Sequence, residues 1–146
     1  MSPLGAWIAV RGEFALFPIF LMLILMLWMG GFDIIYSTQD EEIDRQMGLH
    51  SVPARFGRNK ALKIALGSHL AMLGLCLAFG IYWEMGIAWW LVFSLMTIAI
   101  AYIHLFRKSD DLDSLNRDFF LANVGISFLV MVGLFVWILT GGTAFG

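Results

Sequence analysis

Uncharged and polar stretches alternate on a long scale in this chain. Residues 14–32, 64–83, 85–106 and 119–146 contain no Asp, Glu, Lys or Arg. A helix needs about 20 predominantly apolar residues to cross the hydrocarbon core of a bilayer, and each run is long enough. The pattern predicts an all-α integral membrane protein with four transmembrane helices over about 14–36, 61–83, 85–106 and 119–140. The first run does not read as a signal peptide. Arg11 and Glu13 precede it in place of a basic cluster, and it closes on Gly30-Gly31-Phe32-Asp33 rather than on a small-residue cleavage site.

The connecting stretches carry the punctuation. Residues 1–13 read as a loop or interfacial segment, with Trp7 suited to the headgroup level. Pro18 falls in the first turns of span one, where a missing N–H costs least. Gly30 and Gly31 permit close packing or a bend near its far end. In the polar segment 37–63, Gly48 ends a helical pattern, Pro53 disfavours helix at Val52 and can open a new helical turn, and Gly57 offers a further turn. Tyr82, Trp83, Trp89 and Trp90 are expected at one interface, around a tight turn at Glu84-Met85-Gly86. Residues 107–118 form a second polar loop, in which Ser109 is expected to cap a short helix from Asp110.

Charge adds orientation. Of the nine Lys and Arg residues, only Arg11 lies outside the two polar loops. Four spans put both loops on one side, and the positive-inside rule makes that side cytoplasmic. The expected location is the inner (plasma) membrane, multi-pass, with the Asp-rich loop in the cytoplasm. At 60% hydrophobic and 14% charged, the composition is that of a chain dissolved in lipid. A net charge of −2 with no basic stripe gives no ground for nucleic acid as a partner. Cys76 is the only cysteine, so no intrachain disulfide forms, and it reads as a small packing residue.

The chemistry concentrates in residues 33–44, DIIYSTQDEEID. On a continuous helix at 100° per residue, Asp33, Asp40 and Asp44 fall within about 20° of one line, with Tyr36 on the same side. Asp40 and Asp44 sit one turn apart, with Cβ atoms roughly 6 Å from each other. Asp33 follows an uncharged run, where an unpaired carboxylate is costly. Mg²⁺ binds through one or two carboxylates together with substrate phosphates. Arg55, Arg58, Lys60 and His50 follow downstream and suit the phosphate charge. The constellation suggests a lipid diphosphate bound with Mg²⁺ at the cytoplasmic face. The plainer alternative is a solvated helix end with scattered acids, and Glu41 and Glu42 are read that way. His69, inside the second span, is expected to be an interhelical hydrogen-bonding residue, and His104 an interfacial one. Asn116, Asn123 and Ser127 are read as packing contacts between spans, and Asp110, Asp111 and Asp113 as a solvated loop.

The stretch GFDIIYSTQDEEIDRQMGLHSVPARFG resembles the second aspartate-rich motif of the UbiA superfamily of membrane prenyltransferases. That motif runs Asp-x-x-Tyr-x-x-x-Asp-x-x-x-Asp, then a Gly and a Ser-containing turn. Asp33, Tyr36, Asp40, Asp44, Gly48 and Ser51 match it in turn. GAWIAVRGEFAL upstream and NRDFFLANVGIS downstream are similar to the family as well. GLHSVPARFG looks most like bacterial 4-hydroxybenzoate-type polyprenyltransferases, including those of the futalosine route to menaquinone. His50 stands where many ubiquinone-branch relatives carry Lys, which implies a weaker or pH-dependent phosphate contact.

The resemblance implies two aspartate-rich motifs facing each other across a cavity, holding Mg²⁺ and a polyprenyl diphosphate. Ionisation of the diphosphate gives an allylic cation that an electron-rich aromatic ring attacks. Asp40 and Asp44 would be metal ligands. Asp33 would orient the aromatic acid or accept its proton, and Tyr36 would hydrogen-bond there or face the cation. Arg55, Arg58, Lys60 and His50 would contact the diphosphate. The first motif, Asn-Asp-x-x-Asp-x-x-x-Asp, is not found in the chain, nor is the Tyr-x-x-x-Lys element of an earlier span. The expectation is therefore the C-terminal part of the nine-helix UbiA fold, inactive as an isolated chain. Such a part would come from a split gene, a truncated gene or a fragment of a longer chain, and a subunit would pair with a separately encoded N-terminal half or another lipid enzyme. A non-catalytic membrane subunit is the alternative, and a small transporter with Asp33 as its proton site is a third reading.

Overall fold

The computed structural model describes residues 2–106 and 112–139. The elements are α1 (Ser2–Arg11), α2 (Leu16–Ser37), α3 (Glu41–Gln46), α4 (Val52–Phe56), α5 (Arg58–Tyr82), α6 (Ile87–Phe106) and α7 (Leu112–Leu139). Among the described residues there is no strand. Among the described residues three helices are long and apolar enough to cross a membrane: Leu16–Ser37, Arg58–Tyr82 and Ile87–Leu105. A shorter apolar stretch, Asn123–Gly133, lies within α7. The protein is an all-α membrane protein. Protein covers only 28%, 33% and 28% of the apolar windows of α2, α5 and α6. The remaining apolar surface is suited to lipid, which explains helices that are hydrophobic all round.

What protein does cover falls on narrow seams. On α5 the buried positions are Ala61, Ala65, His69, Met72, Cys76 and Phe79, at spacings of three and four. On α6 they are Trp89, Val92, Met96, Ile100 and Ile103, at the same spacings. This is the stripe one helix presents to a neighbour.

The chain divides into two compact units, residues 1–72 and 73–146, with the boundary inside α5. In the first, α1 packs on α2, with Trp7 and Phe17 ring centroids 6.3 Å apart. Residues 2–11, expected as a loop or interfacial segment, are therefore helical. The Arg11 guanidinium lies 5.6 Å from the Trp7 ring centroid, one turn away, and Gly12 closes the helix at φ +72°. Pro18 is buried in the first turn of α2. His69 of α5 sits over Gly31 of α2, against the T-shaped pair Trp28 and Phe32, with ring centroids 5.7 and 5.0 Å away.

In the second unit a tight turn joins α5 to α6. Glu84 takes φ +47°, the Met85 N–H donates to the Gly80 carbonyl at 2.9 Å, and Trp90 Nε1 donates to the Met85 carbonyl at 3.1 Å. Trp89 was expected at the membrane interface beside Trp83. It is buried against the protein at that end of the helix pair, 5.0 Å from Phe79 and directly over Gly80. A glycine two residues before the helix end leaves a notch that an indole fills. Helix α7 packs on α6, with Gly133 close to Val92. The expected Ser109 cap lies outside the described residues, and the polar residues from Leu112 onward already belong to α7.

Candidate functional site

The site begins where α2 stops. The Ser37 hydroxyl donates to the Ile34 carbonyl at 2.9 Å, and the Thr38 hydroxyl to the Ile35 carbonyl at 2.6 Å. Both occupy carbonyls that a continuing helix would use. The next N–H groups bond three residues back: Thr38 to Ile35, Gln39 to Tyr36 and Asp40 to Ser37, at 3.1–3.2 Å. This is 3₁₀ winding, about 20° per residue tighter than an α-helix. Asp40 itself sits at φ −95°, ψ 8° as the residue before α3.

The acidic stripe expected on one continuous helix is therefore broken. Asp33 and Tyr36 lie on the last turns of α2, while Asp40 and Asp44 belong to the start and body of α3. Among the described residues no three Asp, Glu, His or Cys side chains group as metal ligands. One pair persists. The Asp44 N–H donates to the Asp40 carbonyl at 2.7 Å, so the two carboxylates stand one helical turn apart. Asp44 is half-buried, whereas Asp33, Tyr36 and Asp40 are exposed. Glu41, read as solvated, pairs with Arg45 at 2.7 Å.

Downstream, α3 ends on a Schellman motif. The Leu49 N–H donates to the Asp44 carbonyl at 2.8 Å and the Gly48 N–H to the Arg45 carbonyl at 3.4 Å, with Gly48 at φ +68°. The Ser51 hydroxyl accepts from the Ala54 N–H at 3.3 Å and caps α4, with Pro53 in its first turn. Helix α4 packs against both α2 and α3, which folds this loop back onto the end of α2. Gly57, at φ +80°, accepts the Ala61 N–H and starts α5.

The expected phosphate-binding residues separate into two places. Arg58 opens α5, and its Nε and Nη2 are buried with no hydrogen-bond acceptor. Lys60 is exposed two residues on. His50 and Arg55 instead line a cleft of about 540 Å³ together with Arg45, Gly48, Leu49 and Ala54. None of Asp33, Tyr36, Asp40 and Asp44 lines it. Arg45 entered the sequence reading only as a charge that orients the loop. The available signal was its spacing four residues after Glu41, the pairing that holds it. Asp110 and Asp111 lie outside the described residues.

A family model described as the UbiA prenyltransferase family matches residues 1–124. The chain belongs to that family. No curated protein and no solved structure matches it. UbiA membership makes this a membrane protein of the prenyltransferase class, whose members act on prenyl diphosphates and aromatic substrates and generally use a divalent metal. Mg²⁺ is content with one or two carboxylates when phosphates and waters complete its shell. The Asp40–Asp44 pair fits a metal shared with a phosphate ligand. It does not fit a cage built from these described residues alone.

Proposed function

We propose that this chain supplies one metal-carboxylate motif of an aromatic prenyltransferase. The reaction moves a polyprenyl group from its diphosphate to 4-hydroxybenzoate or a related aromatic acid in quinone biosynthesis. Asp40 and Asp44 hold Mg²⁺, which when bound stabilises the departing diphosphate. Arg58, whose Nε and Nη2 are buried without a hydrogen-bond partner, would contact the same anion, and Lys60 follows two residues on in the first turn of α5. Buried donors of a cation are costly to leave unmet, so an anionic ligand is the natural partner. Asp33, on the last turns of α2, orients the aromatic acid or accepts its proton, and Tyr36 one turn on hydrogen-bonds there or faces the cation with its ring. The aromatic-acid assignment rests on the likeness of GLHSVPARFG to 4-hydroxybenzoate-type enzymes. The loop faces the cytoplasm of the inner membrane, as the Lys and Arg distribution supports.

The observation that carries this reading is the Asp40–Asp44 turn lying directly after a membrane span in a chain of this family. Two carboxylates make half of a paired motif.

The test is binding of geranyl diphosphate to the chain in phosphatidylcholine nanodiscs, with and without Mg²⁺. Mg²⁺ should tighten binding about tenfold or more, a difference of about 1.4 kcal/mol. Asp40→Asn with Asp44→Asn should erase that Mg²⁺ dependence, and Arg58→Gln should weaken binding whether or not Mg²⁺ is present. Affinity indifferent to both Mg²⁺ and the Asn pair would favour a non-catalytic membrane subunit. That second reading draws on the exposure of Asp33, Tyr36 and Asp40.

A further inference from the structure

The cleft between α3 and α4 is chemically distinct from the acidic pair. Its lining holds Arg45, His50 and Arg55 and no carboxylate. Both arginines are braced by neighbours on their own helices. Arg45 is held by Glu41 at 2.7 Å, and the Arg55 guanidinium lies 5.3 Å from the Phe56 ring centroid. Each keeps further N–H donors for a ligand, because a guanidinium carries five.

The same loop displays large apolar side chains. Ile43, Met47, Leu49 and Phe56 are between 47% and 69% exposed, and Leu49 lines the cleft itself. Four such groups on a loop this polar are poorly placed in water. The loop is bound at both ends to membrane spans, at Ser37 and Arg58, so it cannot leave the bilayer surface. Apolar groups entering the acyl boundary while arginines reach phosphates is the pattern of an interfacial segment on anionic lipid.

We propose that the α3–α4 cleft binds the phosphodiester headgroup of an anionic glycerophospholipid from the surrounding leaflet, through Arg45, His50 and Arg55. Leu49 and the neighbouring exposed apolar side chains cover the upper part of its acyl chains. The site does not depend on the prenyl diphosphate reading. A free diphosphate offers the same phosphate oxygens but no glycerol or acyl chains for the apolar rim, which is why the lipid is the better complement.

The experiment uses the whole chain in nanodiscs of phosphatidylcholine containing spin-labelled phosphatidylglycerol or spin-labelled phosphatidylcholine as a trace probe. Association of the labelled lipids is read from the motionally restricted fraction of the spectrum. Phosphatidylglycerol should be preferred about fivefold or more, as one or two basic contacts near the surface predict. Arg45→Gln with Arg55→Gln should bring that ratio close to one, and Arg45→Lys with Arg55→Lys should keep most of it. Lys63→Gln, a cation away from the cleft, should leave it unchanged. Should the Gln pair fail to fold, inorganic pyrophosphate added to the wild-type chain decides. Retention of the phosphatidylglycerol preference supports the lipid site, and its loss shows that the cleft takes free phosphate groups. The proposal is overturned by that loss, by a preference that survives the Gln pair, or by an equal loss with Lys63→Gln. The Asp40→Asn and Asp44→Asn pair should leave the lipid ratio intact, which separates failure here from failure of the prenyl diphosphate reading.

Discussion

At the scale of single residues, adjacent glycines play unequal parts. A Cβ at Gly31 would stand 2.5 Å from His69 Nε2, whereas one at Gly30 meets nothing within 4 Å. Sequence alone makes the two equivalent, since both are small residues near the end of a span. Only the neighbouring helix tells them apart. Gly31→Ala should destabilise the chain by about 1–3 kcal/mol, the usual cost of overpacking. Gly30→Ala should be neutral or stabilising, because alanine is the better helix former. Thermal melting of the two variants in detergent checks the ordering, and equal melting temperatures would refute it. His69 was legible as an interhelical residue. Its seat against Trp28 and Phe32 was not, because three side chains on two helices had to be brought together. Arg58 is similar: its charge was plain in the sequence, while the burial of its donors belongs to the packing around it.

At the scale of elements, the decisive event is the break between α2 and α3. The acids recur at helical spacing from Asp33 to Asp44, and nothing in that spacing announces an interruption. Thr38 supplies it, buried and bonded back to the Ile35 carbonyl. Hydroxyl side chains compete with backbone N–H groups for carbonyls, but whether they win depends on what covers them. The stops further along were easier to foresee. Gly48 and Gly57 both take positive φ, at +68° and +80°. Gly48 lies in the left-handed region that asparagine tolerates, whereas Gly57, at ψ 155°, adopts a conformation essentially reserved for glycine. Gly57→Ala should therefore cost about 1–3 kcal/mol, more than Gly48→Asn. Because Gly57 joins α4 to α5, the damage should be local. Limited trypsin digestion at Arg55 and Arg58 should accelerate in Gly57→Ala and stay near wild type in Gly48→Asn. Equal cleavage in the two would show that the junction does not rely on this backbone shape.

At the scale of the whole molecule, α5 sets the topology. Its 25 residues span about 37 Å at 1.5 Å per residue, enough to cross a bilayer completely. Arg58 and Tyr82 must then lie near opposite surfaces. Single cysteines placed at Asn59 and at Glu84, with Cys76→Ala as background, should label from opposite sides of sealed inverted vesicles. Asn59→Cys should react from the exposed cytoplasmic face and Glu84→Cys only after permeabilisation. Labelling of both from one side would reject α5 as a span. The fourth expected crossing has a helix of 28 residues in α7, within which the apolar stretch Asn123–Gly133 is the part that the described residues support.

The long uncharged runs determined, by themselves, that this chain is helical and lies in a membrane, because lipid forces every backbone polar group to bond within its own segment. The acidic motif likewise named its family before any geometry was known, since it is a matter of residue types at fixed intervals. What the tertiary structure decided is which element carries each of those residues and what covers it. It set Asp33 and the Asp40–Asp44 turn on different helices, buried the Arg58 donors, packed Trp89 against Phe79 and gathered Arg45, His50 and Arg55 around one cleft. Each of these depends on one side chain meeting another from a different element, or on a hydroxyl capturing a carbonyl under cover. Periodicity within a single segment carries no record of either.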